Sequence, residues 1–410
     1  MTAERARKKS DIAWLGGVHV PAAWRRTKVK HLVSEMRAGD AITAERIEDA
    51  GSVPVYGGNG VRGFTEVPTH DGVHVLIGRQ GALCGNVHLA RGAFWASEHA
   101  IVSTPARGVD ARWLAHLLRT MDLGQYSVTA AQPGIGVAQI AALDAYLPPL
   151  EEQGAIADYL DEQTSRIDTL IGKQNQLIDT LHERRAAVIR VAIDAASTAS
   201  TPDKLARRTR VGNGSTPRRE QAAFWFGGDL PWLNSAVVNS ASVTGSDQYV
   251  TERARLECHL PIVRPGAVLV GLTGQGRTRG MATILEIEAT VSQHVAYVQP
   301  EAAHWDSRYL LWALRSRYDD LRLMSDENGS TKGGLTCYDL ANLRVARPPL
   351  HEQQAIAADL DEQTSRIDAL VSKAKEHIVL AKERRAALIT AAVTGQLDVR
   401  AVGRAATSGA

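Results

Sequence analysis

The chain carries one stretch of sequence twice, at an offset of 200 residues. The letters DEQTSRID occupy residues 161–168 and again residues 361–368, and ERRAA occupies 183–187 and 383–387. Chance does not produce a match of this length and register, whereas an internal duplication does. An internal repeat indicates the architecture of a chain more strongly than any single motif does. Each copy follows a longer stretch that is not repeated, so the predicted order is domain, helix, domain, helix.

Each copy of the repeat predicts a long helix. The letters PPLEEQ at 148–153 and PPLHEQ at 348–353 precede the helices, and a Pro-Pro pair ends whatever structure comes before it. The predicted seam of the first helix comprises Ile156, Leu160, Gln163, Ile167, Leu170, Gln174, Leu177, Leu181 and Val188. The predicted seam of the second comprises Ile356, Leu360, Gln363, Ile367, Leu370, Ala374, His377, Ala381 and Leu388. This heptad spacing favours an antiparallel coiled coil of the two helices, with polar seam residues fixing the register. The alternative is that each helix packs alone on the core of its own domain.

The two stretches before the helices share a pattern more than they share residues. Val75–Gly81 and Val268–Gly274 are strand-like runs that end in glycine-containing turns. Ala96–Val102 and Val291–Tyr297 form a second matching pair. Short β-rich runs between helical segments predict two α+β domains. The predicted boundaries are a first domain over 1–147, a helix over 148–195, a second domain over 196–347, a helix over 348–396 and a tail over 397–410.

The net charge of the chain does not by itself indicate a nucleic-acid partner. The 410 residues include 47 Lys and Arg against 45 Asp and Glu, which gives +2, whereas nucleic-acid binders are usually basic. Basic residues do cluster locally, around Gly212–Pro217, while acidic residues gather on the two helices. The cluster comprises Arg207, Arg208, Arg210, Arg218 and Arg219. The total therefore averages a basic surface with acidic helices.

The remaining composition excludes several classes of protein. No apolar run reaches the ~18–20 residues that span a bilayer. Cys84, Cys258 and Cys337 are scattered, without the spacing of a disulfide framework or a zinc site. These features predict a cytoplasmic protein that has no metal site.

The turns after the first matching runs carry side chains of the types that can pair with base edges. Arg79, Gln80 and Asn86 lie in the first domain, and Gln275, Arg277, Thr278 and Arg279 lie in the second. Arg pairs with guanine edges and Gln with adenine edges, so these turns are candidate readers of DNA. The alternative is a pair of solvated hairpins. Ser215, Thr216, Arg218 and Arg219 suit contacts to backbone phosphates.

No catalytic constellation is visible in the sequence. The run 271–278 resembles a phosphate-binding loop, but Arg277 replaces the lysine and a strand-like run follows instead of a helix. His99 and His294 occupy matching positions without ligand-forming neighbours, which favours a structural or phosphate-contacting role. We therefore expect no enzymatic activity from this chain.

These features resemble the DNA-specificity subunit of type I restriction–modification systems, over essentially the whole chain. The motifs that carry the resemblance are Trp14-Leu15-Gly16 with Pro21 and Trp24, the loop 56–60, Gly214–Pro217, Asp229–Leu233, Gly329–Leu335 and the two Pro-Pro-x-x-Glu-Gln helix starts. The second domain lacks the Trp-Leu-Gly opening, so the two domains are expected to read different targets.

The resemblance implies a sequence-specific subunit with two target-recognition domains that reads an asymmetric bipartite site with a spacer of fixed length. It also implies adenine-methyltransferase subunits, expected to number two, and ATP-dependent restriction subunits, which would hold the S-adenosylmethionine, ATP and Mg. This chain is expected to bind no cofactor. The alternatives are a stand-alone DNA methyltransferase or nuclease, and a structural coiled-coil adaptor.

Two sets of site residues follow from the loop chemistry and the resemblance. The predicted DNA contacts are Tyr56, Asn59, Arg62, Arg79, Gln80, Asn86, His99, Ser215, Thr216, Arg218, Arg219, Gln275, Arg277, Thr278, Arg279, His294, Ser330 and Lys332. The predicted partner-docking residues are Glu152, Gln153, Arg184, Arg185, Glu352, Gln353, Arg384 and Arg385.

Overall fold

The structure is a computed structural model that describes residues 6–127, 133–274, 276–327 and 334–401. The chain forms two compact units. The first unit comprises residues 1–174 and 376–410, and the second comprises residues 175–375. The units therefore do not follow the linear order of the predicted domains, because each long helix is divided between both of them.

The first unit begins with strands and ends with two helical segments. Its strands are β1 (Arg7–Lys9), β2 (His19–Pro21), β3 (Arg25–Lys28), β4 (Val33–Ala38), β5 (Val53–Gly57), β6 (Gly60–Thr65), β7 (Val73–Gly78), β8 (Val87–Arg91), β9 (Trp95–Ala96), β10 (Ala100–Pro105) and β11 (Asp144–Leu147). Its helices are α1 (Ala111–Thr120), α2 (Val137–Ala142), the first half of α3 (Leu150–Ala199) and the end of α9 (Leu350–Val393). The main sheet has the antiparallel order β4-β10-β7-β8, and β5 pairs in parallel with β9.

The second unit repeats this plan. Its strands are β12 (Asp203–Lys204), β13 (Thr209–Asn213), β14 (Leu230–Leu233), β15 (Ser242–Val243), β16 (Tyr249–Val250), β17 (Val268–Gly271), β18 (Ala282–Leu285), β19 (Thr290–Val291), β20 (Val295–Pro300) and β21 (Arg344–Val345). Its helices are the second half of α3, α4 (Ala222–Trp225), α5 (Glu252–Glu257), α6 (Ser307–Ser316), α7 (Tyr318–Glu327), α8 (Cys337–Asn342) and the first part of α9 (Leu350–Val393). The sheet order β13-β20-β17-β18 matches that of the first unit, and β14 pairs in parallel with β19. The α+β prediction is confirmed.

A helix covers each sheet and forms the core with it. In α1 the buried residues Trp113, Leu114, Leu117 and Leu118 recur at the three- and four-residue steps of one helix face. Asp110 caps this helix by accepting hydrogen bonds from the backbone N–H groups of Arg112 and Trp113. In the second unit, Asp306 caps α6 by accepting a hydrogen bond from the backbone N–H of Tyr309.

The long helices run antiparallel and pack together inside each unit. In the first unit, Asp168 of α3 pairs with Arg385 of α9 at 3.1 Å, while Glu151 pairs with Arg400 at 3.4 Å. In the second unit, Arg185 of α3 pairs with Asp368 of α9 at 3.2 Å. The partner's number rises as the α3 number falls, so the predicted antiparallel pairing is confirmed. Among the described residues, no helix is long and apolar enough to cross a membrane.

Both long helices also contribute to the cores. The start of α3 enters the first unit's core through Ile156, Ala157 and Leu160, beside Ile389 and Ala392 from the end of α9. The second unit's core likewise contains the start of α9 and the end of α3, through Ala357, Leu360, Ile189, Ile193 and Ala196. The sequence left two interpretations open: the long helices pair with each other, or each packs on a domain core. Both therefore describe part of the structure.

Candidate nucleic-acid interface

Several predicted DNA contacts of the first unit meet at one edge of its main sheet. They lie in the turn after β7, in the β5–β6 turn and just before β10. The backbone N–H of Arg79 donates to the carbonyl oxygen of His99 at 2.8 Å. The His99 Nδ1 and the Gln80 Oε1 lie 3.2 Å apart, and the Asn86 amide donates to the Asn59 amide oxygen at 2.7 Å. The fold thus brings together residues up to about 40 positions apart in the chain.

The second unit builds the same arrangement at the equivalent edge. The backbone N–H of Leu272 donates to the carbonyl oxygen of His294 at 2.9 Å, and the His294 Nδ1 lies 2.8 Å from the Thr273 hydroxyl. The Thr216 hydroxyl donates to the Gln293 amide oxygen at 2.6 Å, and Gln293 also contacts His294 at 3.2 Å. The two histidines therefore occupy equivalent places, but the side chains around them differ.

A glycine at the end of one strand allows this edge to close in each unit. Gly39 follows β4 and Gly214 follows β13. A Cβ added to Gly39 would overlap the carbonyl oxygen of Ala96, and one added to Gly214 would overlap that of Val291. Glycine is therefore required by a close approach between two backbones.

An arginine stacked on tryptophans lies beside this edge in the second unit. The Arg219 guanidinium carbon lies 4.2 Å from the ring centroid of Trp225 and 4.9 Å from that of Trp232. Its Nη1 donates to the Gln248 side-chain oxygen at 2.8 Å. Sequence reasoning missed Gln248, because it is 29 residues from Arg219 and no local pattern links the two. Arg218 is exposed.

The turn after β17 separates the arginines that were predicted together. Arg277 is exposed, and the Thr278 hydroxyl accepts a hydrogen bond from the Asn239 amide at 3.1 Å. The Arg279 side chain is only 12% exposed and pairs with Asp326 at 2.7 Å. The base-reading prediction therefore keeps Arg277 as its stronger candidate, since Arg279 already has a charged partner within the unit.

The other predicted DNA contacts have varied surroundings. Tyr56 is half-buried with its ring edge-on to Phe94, at a centroid distance of 5.6 Å, while Arg62 is exposed on β6. The Ser215 hydroxyl donates to the Cys258 carbonyl oxygen at 3.0 Å. Three predicted contacts, Gln275, Ser330 and Lys332, lie outside the described residues.

The glutamines predicted to dock a partner are buried instead. Gln153 is 1% exposed: its side-chain oxygen accepts from the Asp110 N–H at 2.8 Å, and its amide donates to the Pro148 carbonyl at 2.9 Å. Gln353 is fully buried and makes the same bonds to Asp306 and Pro348, at 2.9 and 2.8 Å. Each carboxamide satisfies backbone groups at the joint between a long helix and the helix of its domain, so in this structure neither side chain lies on an exposed surface.

The remaining docking candidates divide by exposure. Glu152 is 7% exposed, whereas Glu352, Arg184 and Arg384 are exposed. The half-buried pair Arg185 and Arg385 form the two interhelix ion pairs described above. The exposed members are therefore the ones available to another protein.

A buried histidine distinguishes the joint of the first unit. The His116 Nε2 lies 3.5 Å from Asp161 Oδ1, and burial, followed by the charge of Arg119, lowers the pKa of His116 to about 4. In the second unit Trp312 takes this place, and its indole N–H donates to Asp361 at 2.8 Å. The His116 ring is therefore neutral near pH 7. Among the described residues, no group of His, Cys, Asp and Glu side chains could hold a metal ion.

The comparisons with known proteins agree on one family. A family model described as the type I restriction modification DNA specificity domain matches residues 23–179 and 209–378. The chain is 44% identical over 142 residues to the type I restriction enzyme EcoprrI specificity subunit of Escherichia coli, over 34% of each chain. It is 22% identical over 150 residues to the EcoR124I/EcoR124II specificity subunit of Escherichia coli, over 36% of this chain and 37% of the other. These alignments span about a third of the length of the curated relatives.

Two solved structures share the fold over nearly the whole chain. The HsdS subunit from Thermoanaerobacter tengcongensis is 18% identical with a TM-score of 0.55, covering 93% of this chain and 99% of that one. A chain from a study of complex assembly and conformational transition of the type I R-M system is 17% identical with a TM-score of 0.65, covering 92% and 99%.

Proposed function

The chain belongs to the type I restriction modification DNA specificity family, and we propose on this basis that it selects the DNA sequence on which partner subunits act. Each unit reads one short half-site, and the two half-sites differ. The target is therefore asymmetric and bipartite, with a spacer of fixed length between its parts.

The main support for this proposal is that the same edge of the main sheet occurs in both units but carries different side chains. In both units a histidine precedes the strand equivalent to β10 and contacts the turn after the strand equivalent to β7. The contacting side chain is Gln80 in the first unit and Thr273 in the second. A shared frame with unlike polar groups is what reading two different half-sites requires, because base edges are distinguished by their donors and acceptors.

The long helices set the spacer in this proposal. α3 has 50 residues and α9 has 44. At 1.5 Å per residue such helices are about 65–75 Å long, which exceeds one turn of duplex DNA. A pair of continuous helices resists compression and bending better than a loop does, so it suits the role of a ruler.

In this proposal the partner subunits catalyse methylation and restriction. Adenine-methyltransferase subunits, which we expect to number two, and ATP-dependent restriction subunits supply the S-adenosylmethionine, ATP and Mg, and this chain supplies no catalytic group. The exposed charged residues Arg184, Arg384 and Glu352, together with the exposed apolar residues Leu170 and Leu370, suit a protein contact along the helices. A cytoplasmic location follows from the same proposal.

Methylome sequencing tests the assignment of half-sites. Cells that express the chain with its methyltransferase partner should methylate one bipartite motif. Arg277→Ala should relax only the half-site of the second unit and Gln80→Ala only the other, each by about 1–3 kcal/mol if a bidentate base contact is lost. Arg166→Ala, an exposed arginine on α3, serves as the control and should change neither.

Two results would contradict this proposal. Methyl transfer or DNA cleavage by the purified chain alone would make it an enzyme. A chain that binds no duplex even at ~50 mM salt, where phosphate contacts are strongest, would instead be a structural adaptor.

A further inference from the structure

Among the large apolar residues that the structure describes in the second unit, Phe226 is the most exposed, at 88%. It directly follows α4, and its backbone N–H donates to the Ala222 carbonyl oxygen at 2.8 Å. The next residue, Gly227, has φ +71° and open space where a Cβ would stand. Phe226 therefore lies at a tight turn. The end of the helix holds the backbone before it, and the glycine after it permits the left-handed backbone conformation that the turn requires.

The residues beneath this turn are packed and hydrogen-bonded. The Trp225 indole N–H donates to the Arg218 carbonyl oxygen at 3.0 Å, and its ring packs edge-on against Trp232 at a centroid distance of 5.3 Å. Phe224, Trp232 and Val250 form the small buried core under it. Because the neighbouring side chains are already packed and hydrogen-bonded, binding through Phe226 would order few further groups.

The charged side chains nearest to this ring in the sequence are two arginines, Arg218 and Arg219, and two exposed acidic residues, Glu220 and Asp229. Among the described residues, the ion pairs of the second unit do not include Arg218 or Arg219. Arg219 instead rests on two indole rings and on the neutral Gln248. A guanidinium group without an acidic partner can bind an external anion, and phosphate is an anion that planar guanidinium groups bind through two parallel hydrogen bonds.

We propose that Phe226 is a wedge that inserts between two base pairs of the half-site read by the second unit, while Arg218 and Arg219 hold the flanking phosphates. This proposal rests on the proposed function, and adds a residue that acts through base stacking rather than through hydrogen bonds. Apolar side chains inserted at a base step unstack it and kink the duplex, and the sequence dependence of that deformation contributes to specificity. Flexible pyrimidine–purine steps are therefore the preferred place of insertion.

The experiment uses the full chain and a duplex that carries the methylated motif found by sequencing. 2-Aminopurine, whose fluorescence rises when it is unstacked, replaces one base at a time across the second half-site. We expect the native protein to raise the fluorescence at one step. Phe226→Ala should abolish that rise and weaken binding roughly ten- to hundredfold, which is the usual range for one stacked base. Phe226→Trp should retain both.

Two controls separate a wedge from an unspecific surface effect. Leu256→Ala removes another exposed apolar side chain of the same unit, at 58% exposure, and should change neither binding nor fluorescence. Arg219→Ala should lower the slope of affinity against salt by about one, whereas Phe226→Ala should leave that slope unchanged.

The outcomes distinguish the two proposals. Native protein that binds no duplex with the methylated motif contradicts the proposed function itself. Native protein that binds but unstacks no base, or a Phe226→Ala variant that binds and unstacks like the native chain, overturns the wedge alone.

Discussion

The most specific motif of the sequence marks a structural joint at the scale of single residues. In each Pro-Pro-x-x-Glu-Gln sequence the glutamine is buried and bonds to the backbone of the residue that caps the neighbouring helix, Asp110 or Asp306. A buried carboxamide offers one acceptor and two donors, so it can satisfy three backbone groups that would otherwise be desolvated without partners. The motif repeats because the joint repeats.

Gly214 gives a residue-scale prediction on stability. Gly214→Ala places a Cβ on the Val291 carbonyl oxygen, so the edge of the sheet must open. We expect the free energy of unfolding to fall by about 1–3 kcal/mol, as measured in denaturant. Gly245→Ala is the matched control, since nothing lies within 4 Å of its added Cβ. Equal stability of the two variants would show that the close approach is absent in solution.

His116 gives a residue-scale prediction on pH. Burial lowers its pKa from 6.5 to about 4, so between these values the unfolded chain binds a proton that the folded chain excludes. Stability is therefore lost as the pH falls through this window. His116→Gln cannot titrate, so the native chain should lose about 2 kcal/mol more than this variant between pH 7 and pH 5.

Denaturant unfolding at the two pH values measures this difference. His182→Gln, which changes an exposed histidine on α3, is the control and should behave like the native chain. A pH dependence that survives His116→Gln would assign the effect to another group.

At the scale of elements, the observed seam between the long helices differs from the predicted one. A heptad seam has two alternating series of positions, and one of these series lies one residue later than predicted. From Leu360 onward, the buried positions of α9 in the second unit are Leu360, Thr364, Ile367, Val371 and Ala374. The predicted positions Gln363 and Leu370 lie one residue earlier, and Leu370 is 51% exposed. In α3, Leu170 and Leu177 are likewise 47% and 45% exposed. Both series have heptad spacing, so periodicity alone does not separate them.

A pair of adjacent substitutions tests this register. Val371→Ala removes a side chain that is 6% exposed and packs against Leu181, so it should cost about 2 kcal/mol of unfolding free energy. Leu370→Ala should cost less than about 0.5 kcal/mol, because that side chain is half in solvent. Thermal or denaturant unfolding of the two variants decides the register, and the reverse ranking would restore the predicted seam.

At the scale of the whole molecule, the two units share their long helices. Ile189 and Ile193, at the end of α3, belong to the core of the second unit, while Ile389 and Ala392, at the end of α9, belong to the core of the first. Neither unit is therefore complete from one continuous segment of the chain. A change in the length of one helix must be matched in the other, or the register of the pairing is lost.

A paired deletion is the prediction at this scale. Removing one heptad from α3 near residue 175 and one from α9 near residue 375 keeps both cores and the seam in register. Each heptad is about 10 Å of helix, so the spacer of the target should shorten by roughly three base pairs while both half-sites stay the same. Methylome sequencing gives the new motif. A changed half-site would contradict the ruler, and a single deletion is the comparison that should destabilise the protein.

Much of the architecture followed from the sequence alone. The duplication, the two long helices and the matching strand runs are written in local patterns, and backbone geometry converts such patterns into elements directly. The equivalent turns after β7 and β17 could be located for the same reason. The contact between Gln80 and His99 could be located only approximately, and the contact between Arg219 and Gln248 could not be located at all. Both contacts join segments that are distant in the sequence.

Burial and pairing were decided only by the tertiary structure. Leu370 and Val371 are both apolar and adjacent, and the antiparallel partner helix determines which of them faces inward. The helix start at Gln153 looks polar and exposed in the sequence, and becomes an interior joint only when α1 packs on it. The division of each long helix between two units has the same cause. Local geometry fixes the period of an element, but the free energy of burial depends on the surface that meets it.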